Sequence, residues 1–156
     1  MRITLARALK IKNRIAGQLK DAQGMVHAHN RVVKGGARCV PVQEWAKRTA
    51  ILSKRLVAVK AAIARANDGI IDAIIELQET KSLIKFWRLV DTSPTERYGG
   101  ERTEFDLAFD AAATRANEAE LQSHAYDLQD RIDEYNARCM VELPDETLAP
   151  VDQSDR

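Results

Sequence analysis

At 156 residues the chain fits one domain with a core that needs no covalent staples. Its residues are 45% apolar but only 5% aromatic, and Ala, Ile, Leu and Val filling the interior suit helices packed side by side. No apolar run nears the ~18 residues that would cross a bilayer, and two distant cysteines, Cys39 and Cys139, could pair but read rather as buried thiols in a reducing cytoplasm. The net charge of +1 conceals a strong polarity. Residues 1–65 hold 15 Lys and Arg against Asp21 and Glu44, a balance of +13, and the rest hold 9 against 21, a balance of −12. Folding back is expected to set basic helices beside acidic ones, so that much of the field cancels.

The opening segment is basic and has neither an apolar signal-peptide core nor a cleavage site, so it reads as a structural helix from about Thr4 to His29. Leu5, Ala8, Lys12, Ile15, Leu19, Ala22 and Val26 recur at three- and four-residue steps and form one face. Lys12 is the flaw in that face, and its long stem can carry its charge outward. "KGGARCVP" ends the helix, through glycines tolerant of positive φ and a proline that disfavours helix before it.

The second helix carries the clearest pattern: Trp45, Thr49, Leu52, Leu56, Val59, Ile63, Ala66 and Ile70 step by four and three without a fault. "NDG" at 67–69 either breaks this helix or kinks it, with a break favoured, and Ile70, Ile74, Leu77 and Ile84 continue in phase. Beyond Val90, "DTSPTERYGGERTE" loses periodicity, and "TEFDLAF" at 103–109 alternates like a short extended segment. Asp110 is the expected N-cap of a last helix over roughly 111–140, with Leu121, Ala125, Leu128, Ile132, Tyr135 and Cys139 as its buried stripe. The fold expected is all-α, an antiparallel bundle of three to four long helices with coiled-coil-like seams over residues 1–142. Residues 143–156 read as a flexible, disordered acidic tail.

Candidate chemistry is sparse. Glu76 and Glu79 lie one helical turn apart, and Glu101 and Glu104 repeat the spacing, as in all-helical nucleotide pyrophosphatases that hold Mg²⁺ with paired acids. Such pairs also occur on solvated helix faces, and Glu101 follows two glycines. Glu120 and His124 make one metal-capable pair, too few for a coordination shell, while His27 and His29 fall on different faces. Cys39, beside Arg38, is a candidate exposed thiol. Arg97, Tyr98, Arg102 and Glu104 form a candidate binding group in the connector, able to grip an anion or to tie the connector down. No P-loop is present, and no nucleophile–base arrangement is legible. The basic helices offer phosphate contacts, but Trp45 is the sole aromatic in residues 1–65, which disfavours base stacking.

Four segments carry a resemblance: "LARALKIKNRI" at 5–15, "IARANDG" at 63–69, "RYGGERTE" at 97–104 and "LQDRIDEYN" at 128–136. Together they resemble a family of small bacterial helical-bundle proteins of unknown function, some of them labelled septicolysin. The chain departs from that pattern at Gln129, at Asp133 and at Ala137, where the family usually has Trp, so no site near the last helix carries over. The resemblance implies an oligomeric helical bundle without an established activity. The expectation is therefore a cytoplasmic, non-enzymatic protein without a cofactor, a homo-oligomer or the binder of a protein partner. A Mg²⁺-dependent hydrolase and a non-specific nucleic-acid binder stand as alternatives; no membrane association is expected.

Overall fold

A computed structural model describes residues 1–98, 100–147 and 149, with Tyr98 and Glu101 described by their backbones alone. Most of the described chain is helical, as the composition requires, and no helix among the described residues is long and apolar enough to cross a membrane. The chain divides into two compact units, the first made of Met1–Gly69 with the segment from Asn136 onward, the second of Ile70–Tyr135.

In the first unit, strand β1 (Arg2–Thr4) leads into helix α1 (Leu5–His29), which packs on α2 (Val42–Ala66). Thr4 caps α1, its hydroxyl oxygen accepting the Arg7 N–H at 3.3 Å. At the other end Arg38 donates to the carbonyls of His29 and Asn30, at 3.0 and 3.1 Å, where a cation suits the helix dipole. Leu5, Ala8, Ile15 and Ala22 are buried as the spacing implied. Lys12 is half-buried, and its neighbour Ile11 fills the place a lysine cannot. On α2, Leu52, Val59 and Ile63 are buried and Trp45, Thr49, Leu56 and Ala66 half-buried, so every seam position on the helix turns inward. Strand β4 (Met140–Glu142) pairs antiparallel with β1, Ile3 opposite Val141, and buries Val141 against this core. Leu143 and Thr147, inside the segment expected to be a flexible tail, are buried as well; Leu143 donates its N–H to the Met1 carbonyl, and Asp145–Thr147 forms a 3-10 turn. The tail expectation is thus corrected for 143–147, while residue 148 and the stretch from 150 lie outside the described residues.

A 3-10 turn over Asn67–Gly69 interrupts the α-helix after Ala66, which settles the choice between break and kink as a break. In the second unit α3 (Ile71–Arg88) is joined to α4 (Ala111–Arg138) by a hairpin, and α4 belongs to this unit through Tyr135. Ala73, Leu77 and Ile84 from α3 meet Ala125, Leu128 and Ile132 from α4 around Ile70. Asp110 caps α4 as expected, its carboxylate accepting the Ala113 N–H at 2.7 Å. Cys139, expected in the α4 stripe, instead follows the helix and gives its carbonyl to the Leu5 N–H.

The extended segment falls earlier than the alternation at 103–109 implied. Strands β2 (Thr95–Tyr98) and β3 (Glu101–Glu104) form an antiparallel ribbon, with Gly100 at φ +93° just before β3. Phe105–Asp110 is irregular; its Phe109 packs edge-on against Trp87 at 5.1 Å between ring centroids.

The expected pairing of basic with acidic helices does not occur within the first unit. In the first unit the two basic helices pair with each other. Its described residues carry 16 Lys and Arg against 6 Asp and Glu, a balance of +10; the second unit carries 7 against 15, a balance of −8. Helices consecutive in sequence pack together when their apolar faces match. Solvated charges are screened within ~8–10 Å and do not override that burial.

Candidate functional site

The ribbon brings together part of the predicted binding group. Arg97 stands directly opposite Arg102, and Glu104, two residues on, shares the face of Arg102. Arg102 and Glu104 form a long ion pair at 3.6 Å with both side chains mostly in solvent. Exposed pairs of this kind contribute at most about 1 kcal/mol. Tyr98 pairs with Glu101 through the backbone, and both side chains lie outside the described part. Two guanidiniums opposite each other repel mildly, so the ribbon is a joint whose arginines stay available to solvent.

The carboxylates expected at a metal site are arranged differently. His124 Nε2 donates to the Glu76 carboxylate at 2.9 Å across α3 and α4, with both residues about half in solvent. Glu79 is exposed one turn further along α3, and Glu104 is engaged by Arg102. Among the described residues no three His, Cys, Asp or Glu side chains gather as a metal-holding group. The Glu120–His124 pairing is replaced by the one to Glu76, which spacing along a single helix cannot reveal. Cys39 is exposed, which corrects the expectation of a buried thiol there, but its neighbour Arg38 spends its guanidinium on the end of α1.

A feature of α3 passed over by the heptad reading is more prominent. At roughly 100° per residue, Ile71, Ile75, Phe86 and Leu89 fall within about 60° of one another, on the side away from Ala73, Leu77 and Ile84. They are 42%, 51%, 57% and 75% exposed. Gln78 and Ser82 fall on the same side between Ile75 and Phe86, so the open face carries one exposed apolar pair towards each end of the helix. Asp72, Glu76 and Glu79 edge the open stripe on one side; Lys81, Lys85 and Arg88 edge it on the other. Those cations, with Ile84, Gln122 and Tyr126, line a groove of about 310 Å³ between α3 and α4. Arg88 is held there by Glu118 at 2.6 Å, and Gln122 steadies the same carboxylate oxygen at 2.8 Å.

No family model, curated protein or solved structure matches the chain.

Proposed function

We propose that the chain is a non-enzymatic helical-bundle protein that acts through self-association, the wider class being protein–protein interaction. The observation that carries this reading is the second apolar face of α3, open along Ile71, Ile75, Phe86 and Leu89. Exposed apolar side chains flanked by charges are the usual form of a contact surface. A second copy laying the same face against it in a two-fold contact covers both stripes at once, with a coiled-coil-like seam as the natural geometry. Light scattering over a concentration series tests this. The expected mass rises from that of the 17.5 kDa chain towards a multiple of it; a strict monomer at the highest concentration contradicts the reading.

A further inference from the structure

The charge separation adds a second contact to that association, and its argument rests on the self-association reading. On α1, Arg7, Lys10 and Arg14 are exposed and, by helical spacing, fall within about 60° of arc. On α4, Glu120, Asp127 and Asp130 are exposed and fall within about 80°. Within the first unit no Lys or Arg of residues 1–65 forms an ion pair among the described residues, and within the second Glu120, Asp127 and Asp130 form none. Both stripes thus stand solvated, one in a unit of +10 and the other in a unit of −8. We infer that the basic face of α1 in one copy docks on the acidic face of α4 in a second copy.

A second copy fits these charges better than nucleic acid does. A polyanion approaching the first unit also meets a covalently attached unit of −8, and the chain as a whole offers only +1. A second copy presents the matching sign to each unit. The basic helices also lack the aromatic platforms that hold single strands: Trp45 is half-buried in its seam, with the Arg48 guanidinium 5.2 Å from its ring centroid.

The test uses the full chain, a triple reversal on α1 (Arg7→Glu, Lys10→Glu, Arg14→Glu) and another on α4 (Glu120→Lys, Asp127→Lys, Asp130→Lys). All six positions are exposed, and circular dichroism checks that each variant keeps its helices. Sedimentation equilibrium is expected to show wild-type association weakening about tenfold between ~0.1 M and ~1 M salt, as the screening length falls from about 10 to about 3 Å. Each triple variant alone is expected to associate at least tenfold more weakly, and an equimolar mixture of the two to recover the wild-type constant. Association indifferent to salt and to both variants overturns this inference, while leaving association through α3 standing. Weakening in the single variants without recovery in the mixture also overturns it. So does salt-sensitive retention of duplex DNA by the wild type that the α1 variant loses and that dissociates the copies, because the basic face then belongs to nucleic acid.

Discussion

Replacing Ile75 and Phe86 together with Asp is expected to leave the helices in place and the chain monomeric. Both side chains are already about half in solvent, so the folded chain loses little of its own core. Covering the exposed half of a large apolar side chain contributes about 1 kcal/mol. A two-fold contact uses each position twice, so the double variant forfeits about 4 kcal/mol, roughly a thousandfold in the association constant. A carboxylate at position 75, next to Glu76 and one turn before Glu79, adds repulsion between copies. Light scattering reads the outcome. A double variant that still associates like the wild type shows that the stripe is not the contact.

The second large effect is expected at Leu52, which is 0% exposed between α1 and α2. Leu52→Ala removes buried methyl groups and leaves a cavity that rigid neighbours fill only in part, at a cost of about 3 kcal/mol. For a unit of this size that corresponds to roughly 15 °C in the melting midpoint of the first unit. Val57→Ala, five residues along the same helix but 64% exposed, is expected to change stability by no more than about 0.5 kcal/mol. Differential scanning calorimetry separates the two. Equal effects mean that the two positions do not differ in burial as described.

What could be read in the sequence, and what could not, divides along the range of the interactions. Helix positions rest on local periodicity and caps, and so Thr4, Asp110 and the α2 seam were legible. Lys12 illustrates the limit of a fixed three-four count: an α-helix turns 3.6 residues, the face drifts, and Ile11 takes the inward place. The ribbon carried a local signal, Gly-Gly between "TERY" and "ERTE", which a search for helical periodicity passed over. The pairing of β1 with β4 joins segments at opposite ends of the chain, and three-residue strands carry no pattern of their own. Charge misled for a physical reason: surface charges are cheap to leave solvated, so they do not choose which helices pack, whereas Leu52 and Val59 do. Of the candidate binding group, the sequence placed Arg97, Arg102 and Glu104 in one segment but could not say that two arginines stand opposite each other. The exposed apolar pairs of α3 were hidden because Gln78 and Ser82 separate Ile75 from Phe86 and break the period on that face.

Hydroxyl-radical footprinting of the intact chain tests the central claim most directly. Phe86 and Leu89 are expected to be oxidised readily in dilute solution and progressively less as concentration rises, while Val57, also well exposed, reacts equally throughout. Phe86 and Leu89 reacting as fast in concentrated as in dilute solution would contradict the claim that copies of this chain cover the open face of α3.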